Sequence, residues 1–317
     1  MKKTSLLPPV VSFIACFILT CSFPTSATAK SSAIVDSNET MTTVDFITGS
    51  GVIRLNLPNE IRCGDTISGI IQIEGRGKSS RYEKKLNEYV LKIGEYEAYV
   101  RLGSYRLTIP KDATSLPVTL LNSKGSERGS AQIDVISSAD KPSSEGYSSP
   151  ACVEANKPIK VEGTFSGDFR ITNVTTNGRP ALILTESPRV MVFQTPDNII
   201  GAMKVEVKQG DWKYKSELNA LSISSTMVTR KIERGKSHSL LVRISGMKPD
   251  GPSVMVKLTN LTPGVVNLEG GDVQSIGAKS DTGTWEVRRE VHGARAGRFR
   301  LKAHLIPSVK KVKFKAM

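Results

Sequence analysis

The sequence predicts an all-β protein, made of immunoglobulin-like β-sandwich domains in series with one short helix in the first. Three observations predict it. From Gly51 onward the chain is a succession of short apolar runs, about every 8–12 residues, punctuated by Gly, Pro, Asn and Asp. Only one segment carries helical periodicity. The 317 residues are 38% hydrophobic with 26 Gly and 16 Pro, enough apolar material for packed cores and too little Gly and Pro for a collagen-like or wholly disordered chain.

The first 29 residues read as a secretory signal peptide. Lys2 and Lys3 give a positive start, Val10 to Cys21 an apolar run of about a dozen residues, and Ala27-Thr28-Ala29 a cleavage site before Lys30. The run is shorter than the ~20 apolar residues of a membrane span. Lipid anchoring at Cys21 ranks below simple cleavage, because Thr20 fits the position before a lipidated Cys poorly. Cleavage leaves a periplasmic or extracellular chain with no transmembrane segment. It lowers the net charge from +14 by two lysines to +12. Residues 30–45, polar and rich in Ser and Thr, read as a disordered leader.

The first domain is expected over 46–137. Val52–Leu57 alternates and stops at Pro58; Thr66–Glu74 holds Ile67, Ile71 and Ile73, with Gly69 at a bulge. Ser79–Asn87 is the helical segment, opened by the Ser80-Arg81-Tyr82-Glu83 capping box. Strands follow at 89–93, 96–102, 105–109, 118–121 and 131–136. The segment 138–150, Ser-rich with two prolines and almost no apolar residue, reads as a linker. The second domain, 151–219, places strands at 159–162, 169–174, 181–185, 189–194 and 202–208, with Asn177-Gly178 as a hairpin turn. The third, 220–307, places them at 240–244, 254–258, 265–268, 285–291 and 298–305. Residues 308–317 form a basic tail, expected to be solvated and frayed.

Two stretches of residues carry resemblances. Val161-Glu162-Gly163-Thr164-Phe165-Ser166-Gly167 resembles the G-x-x-F opening of an IPT/TIG-type immunoglobulin-like module. Ile171 to Gly178 resembles its T-x-V-x-x-x-G hairpin, and 187–207 resembles its later strands. The whole chain also resembles a group of exported bacterial proteins of unassigned role. They share G-D-T-x-S-G (here Gly64–Gly69), E-S-P-R (Glu186–Arg189) and P-G-V-V-x-x-x-G-G-D (Pro263–Asp272). The resemblance implies an exported multi-domain β-sandwich protein and no particular chemistry, since such folds host many functions.

Residue patterns for catalysis are sparse. His238, His292 and His304 are far apart, and there is no C-x-x-C or H-x-x-x-H spacing, so neither a metal nor another cofactor is expected. No G-x-S-x-G elbow occurs, and Gly235-Lys236-Ser237 is preceded by Arg230 where a phosphate loop needs Gly. After cleavage two cysteines remain, Cys63 and Cys152. They form a candidate disulfide closing a loop of about 90 residues, worth ~4 kcal/mol in the chain-entropy model, with two separately buried thiols as the alternative.

Charge is the one feature with functional content. Residues 280–317 hold ten Lys and Arg against Asp281, Glu286 and Glu290. Arg288, Arg289, Arg295, Arg298, Arg300, Lys310, Lys311, Lys313 and Lys315 are therefore candidate anion-binding residues on a basic C-terminal face. The expected function is an exported, non-enzymatic binding or structural module of the bacterial envelope or surface. Its partner is an anionic envelope polymer, a lipid or another exported protein; export and the lack of a recognition motif set nucleic acid aside. One alternative is a carbohydrate-binding accessory of an exported hydrolase system, although aromatics make up only 6% of the chain. The second is a hydrolase with a dispersed acid pair.

Overall fold

A computed structural model of the chain describes residues 32–75, 80–137, 146–196, 198–227, 233–249, 251, 253–295, 299–306 and 310–317. The signal peptide, Cys21, most of the expected linker and Arg298 lie outside the described residues. The first core is built from β1 (Ser32–Ser37), β2 (Met41–Ile47), β3 (Gly51–Pro58), β4 (Thr66–Gly75), α1 (Ser80–Leu86), β5 (Val90–Ile93), β6 (Tyr96–Tyr99), β7 (Ser104–Thr108), β8 (Ser115–Leu121) and β9 (Glu127–Asp134). An antiparallel meander β1-β2-β3-β4, with β7 also on β4, belongs to one sheet; β6-β5-β8-β9 forms the other. Phe46, Ile53, Leu55, Leu57, Leu91, Ile93, Val118 and Leu120, alternating along their strands, are fully buried in the first core.

The leader expected to be disordered is strand from Ser32 onward, apart from a short turn at 38–40. Thr42, Val44 and Phe46 alternate with Thr43 and Asp45 and turn to the buried side, and the β-branched threonines suit a pleated surface. Polar composition hid a period-2 pattern.

The second core takes β10 (Ser148–Pro150), β11 (Cys152–Glu154), β12 (Pro158–Glu162), β13 (Thr172–Thr176), β14 (Arg179–Pro180), β15 (Leu182–Glu186), β16 (Val190–Gln194), β17 (Gly201–Gln209) and the first half of β18 (Trp212–Met227). Asn177 and Gly178, with φ of 47° and 76°, make the expected turn from β13 to β14. Phe169–Ile171, expected as strand, is a 3₁₀ turn, because the Asp168 carboxylate accepts the Arg170 N–H and caps it.

The third core takes the second half of β18 with β19 (Ser237–Ser245), β20 (Val254–Asn260), β21 (Val266–Leu268), β22 (Val273–Ala278), β23 (Thr284–Gly293) and β24 (Leu301–Ile306). The order β18-β19-β23-β21 is complemented by a three-stranded sheet β22-β20-β24. β18 runs without a break through the residue expected to separate two domains. Leu218 and Ala220 are buried in the second core, Leu221 in the third, so the buried side of the strand changes at Ala220–Leu221.

The tail is folded, against the expectation of fraying. β25 (Lys311–Lys313) pairs with β10, and β26 (Lys315–Ala316) pairs with β18. Phe314 between them is buried in the second core, and its N–H reaches the Tyr147 carbonyl at 2.9 Å. Val312 and Phe314 alternate with the lysines, so one side of the segment is apolar and docks.

The first and second cores share a sheet. β4 and β15 pair through Gly69↔Thr185 and Ser68↔Glu186. A Cβ on Gly69 would lie 2.9 Å from the Asn56 carbonyl, the Leu184 carbonyl and the Tyr105 ring. Arg189 and Asp65 meet at 2.5 Å with both side chains largely buried. Glu186, fully buried, accepts bonds from Ser166 Oγ and the Gly167 N–H at 3.0 Å each. Met41, Leu184, Val190 and Val192 form an apolar cluster of their own. Among the described residues no helix is long and apolar enough to cross a membrane.

Candidate binding face

In an antiparallel ladder, directly opposed residues point to the same side. On β17 the buried Met203, Val205 and Val207 alternate with Lys204, Glu206 and Lys208, which face outward. The opposing residues on β18 are Glu217, Lys215 and Lys213, and Lys215 is opposed in turn by Lys315 of β26. β13 adds Thr175 and Asn173 to the same side. Three neighbouring strands thus present Lys204, Lys208, Lys213, Lys215 and Lys315 with two acids among them.

The acids are spoken for. Glu206 lies 3.1 Å from Lys213 and 3.2 Å from Lys215, and hydrogen bonds from these two ammonium groups hold its carboxyl below the usual range. Glu217 is bonded by Lys248 at 2.7 Å, with the same effect. Among the described residues, Lys204, Lys208 and Lys315 have no acidic partner within ion-pair distance. The face is therefore an exposed surface of excess positive charge. Its signal is legible in Lys204-Val-Glu-Val-Lys208 and Trp212-Lys-Tyr-Lys215, where charges recur every second residue; reading only the C-terminal end missed it.

The structure does not gather the expected C-terminal face. Arg288 is outward on β23, flanked by Glu286 and Glu290 on the same side. Arg289 is on the opposite side and partly buried, with its Nε enclosed and unpartnered. Arg295 and Arg300 are exposed near the two ends of the connection from β23 to β24, their backbone N–H groups bonded to Val265 O and Thr262 Oγ1. Lys311 is bonded to Glu162, Lys310 borders a small cavity beside Cys152, and Lys313 sits on the β25 edge. Of the eight that lie among the described residues, Lys315 alone is in the ladder that forms the lysine face. Period-2 alternation divides Arg288 from Arg289, and tertiary pairing sends the tail to a different core from the arginines.

Cys63 and Cys152 are free thiols in place of the candidate bridge. Cys63 packs at the margin of the first core, its Sγ bonded to the Ser137 carbonyl at 3.1 Å. Cys152 belongs to the third core, where burial pushes its thiol pKa up. The two thiols are thus seated against different cores.

A cavity of about 510 Å³ lies between β10, β12 and Leu305 and is bordered by Glu39, Glu154 and Glu162. Two of these acids are engaged: Glu154 accepts the Leu305 N–H at 3.1 Å, while Lys160 and Lys311 hold the Glu162 carboxyl below its ordinary range against the effect of burial. The one carboxyl raised by burial among the described residues is Glu186, sealed between the first two cores. No group of three His, Cys, Asp or Glu among the described residues is placed to hold a metal ion.

No protein-family model matches the chain, and no curated protein sequence matches it. Solved structures similar to it include the Bacteroides ovatus mixed-linkage glucan utilization locus protein SGBP-B in complex with a mixed-linkage heptasaccharide. That match is 10% identical, covers 96% of this chain and 99% of that one, and has a TM-score of 0.23. The I9–I11 tandem of titin is 8% identical over 90% and 97% of the two chains, with a TM-score of 0.22. A Salmonella alpha-2-macroglobulin mutant is 10% identical, covering 92% of this chain and 23% of that one, with a TM-score of 0.25. The all-β architecture of this chain stands on its own strands and sheets, and similarity at this level carries no argument about ligands.

Proposed function

We propose that the chain is an exported, non-enzymatic binding module of a bacterial envelope or surface. Three sandwich domains, one on each core and the middle one of IPT/TIG type, hold a lysine face to an extended anionic polymer. The observation that carries this reading is the ladder of Lys204, Lys208, Lys213, Lys215 and Lys315 on one exposed side of three strands, with Glu206 and Glu217 already neutralised. Such a surface attracts anions through a field that salt screens over about 10 Å. A row of charges along the strands suits a polymer that lies along it, and a strand-built scaffold keeps the charges in register.

The test is retention on an immobilised anionic polymer at low and at high salt. The wild-type chain is expected to bind at low salt and elute as salt rises. The K208Q/K213Q/K215Q/K315Q variant, altered only on the surface, is expected to lose most retention while keeping its unfolding midpoint. Retention equal in the two proteins would overturn the proposal. Export is tested separately, by sequencing the N-terminus of protein recovered outside the cytoplasm; a start at Lys30 is expected.

A further inference from the structure

The chain has two tryptophans, and their surroundings differ. Trp285 packs partly buried against the third core, whereas Trp212 is 68% exposed. Trp212 follows the Gly210–Asp211 turn and stands opposite Gln209 at the tip of the β17–β18 hairpin. By alternation its ring is on the inward side of the sheet, the side of Tyr214, beyond the last packed layer of the second core.

Beneath it the fold has built a wall of rings. Tyr147 lies 4.3 Å from Tyr214, edge-on at 66°, and 4.8 Å from Phe165. Tyr147 lies against Gly163, where a Cβ would come within 2.3 Å of its ring, so Gly163 makes the seat and Phe165 makes the neighbour. The Tyr147 hydroxyl is fixed by the Thr164 carbonyl at 2.8 Å and by Gln209 Oε1 at 3.1 Å. The Gln209 amide nitrogen uses one N–H on Thr172 Oγ1, which leaves the other for a ligand. These rings and Trp212, with Gln209 and Ser166 at the rim, enclose a groove of about 380 Å³, within the size range of small-ligand sites.

We infer that this groove seats a pyranose ring and that the anionic partner of the lysine face is an acidic polysaccharide. The inference rests on the lysine-face reading and deepens it. A pyranose has an apolar C–H face and a rim of hydroxyls, which matches an exposed indole above the second N–H of the Gln209 amide. Continuity supplies the second argument. The Lys208↔Lys213 pair is the next rung from Gln209↔Trp212, about 3.4 Å along the strand on the outward side. A chain of acidic sugars rounding the hairpin tip places a ring on Trp212 and its following carboxylates on the lysines. A ringless polyanion gains only the lysines.

The experiment uses the full chain carrying W285F, so that Trp212 is the single tryptophan reporter. Binding is measured with polygalacturonate, an acidic polysaccharide, and with polyglutamate, a ringless polyanion of equal charge. Polygalacturonate is expected to shift Trp212 emission and to bind more tightly than polyglutamate. In a second pair of proteins read by retention, W212A should weaken polygalacturonate about tenfold and leave polyglutamate unchanged, with W212F intermediate. If W212A binds polygalacturonate as the wild type does, or weakens both polymers equally, the sugar site is overturned while the lysine face stands. If neither polymer binds at low salt, the lysine-face reading itself has failed.

Discussion

The two junctions between cores are made by different means. The first and second cores meet between two separate strands: two rungs of backbone pairing between β4 and β15, reinforced by the Asp65–Arg189 ion pair, the buried Glu186 and a small apolar cluster. The second and third cores meet through the chain itself, because β18 serves both and β11 lies alongside it in parallel register. A polar junction loses its energy when one partner is removed, since the other charge is then buried alone. A shared strand has no such single point of failure. The comparison teaches that adjacent sandwiches can be held by a key of charges or by continuity of backbone, and that mutations will tell the two apart.

The largest effect should come from the key. Arg189→Ala, which strands Asp65 in a nearly closed site, is expected to lower stability by about 3 kcal/mol in urea unfolding, whereas Arg54→Ala, which breaks the more exposed pair with Asp45, should cost under about 1 kcal/mol. Similar losses for both would erase the distinction. Phe314→Ala removes a buried ring from the second core and is expected to cost about 3 kcal/mol. Hydrogen exchange should then show the β25 and β26 amides released ahead of the rest of β18. If they open together with β18, the tail is no separate strap.

Glycine substitutions sharpen the same contrast. Gly167, at φ 75°, has the Thr66 carbonyl 2.1 Å from where a Cβ would sit, on the first junction. Gly246, at φ 89°, has the Ala220 carbonyl at 2.7 Å and the Gly201 nitrogen at 2.8 Å, on the second. Either change to Ala should cost about 1–3 kcal/mol through strain and clash. Gly167→Ala is expected to uncouple unfolding of the first core from the other two, seen as a second transition in calorimetry. Gly246→Ala should lower one transition without splitting it.

The smallest effect is a slope with pH. Burial raises the Glu186 carboxyl, so the folded chain favours its protonated form. Its stabilisation is present below the ordinary carboxylate pKa and is lost as pH rises above about 4.3 through the raised folded value. Asp168 works in the opposite sense: the Arg170 side chain hydrogen-bonds it, with Arg106 close by, and its carboxyl is held low. Its contribution is present above the ordinary range and lost as pH falls. Glu186→Gln should therefore remove the decline of stability toward neutral pH and leave the acid limb intact. Unfolding midpoints from pH 4 to 8 check this, and an unchanged decline would show that Glu186 is not its source.

How far these features were legible depends on how local they are. The strand runs at 52–57, 66–74, 202–208 and 254–258 and the helix after Ser79 could be read in place, since alternation, turn residues and a capping box act over a few neighbours. β1 and β2 escaped because Ser and Thr masked the alternation of Val44 and Phe46. β26 escaped because two residues show no period. Gly64–Gly69 and Glu186–Arg189 were noticed as separate motifs, and nothing local said that they form the two sides of one joint. Likewise the lysines of β17 and β18 were visible as charges, while Lys315 joins them only because the tail returns past a whole core.

By itself the sequence determined that this chain is strand-built and basic, because composition and short-range periodicity are properties of neighbours along the backbone. Tertiary structure alone decided which charges are buried and which gather, because that follows from the register between strands more than a hundred residues apart. A shift of one residue in any such pairing turns every side chain to the other face.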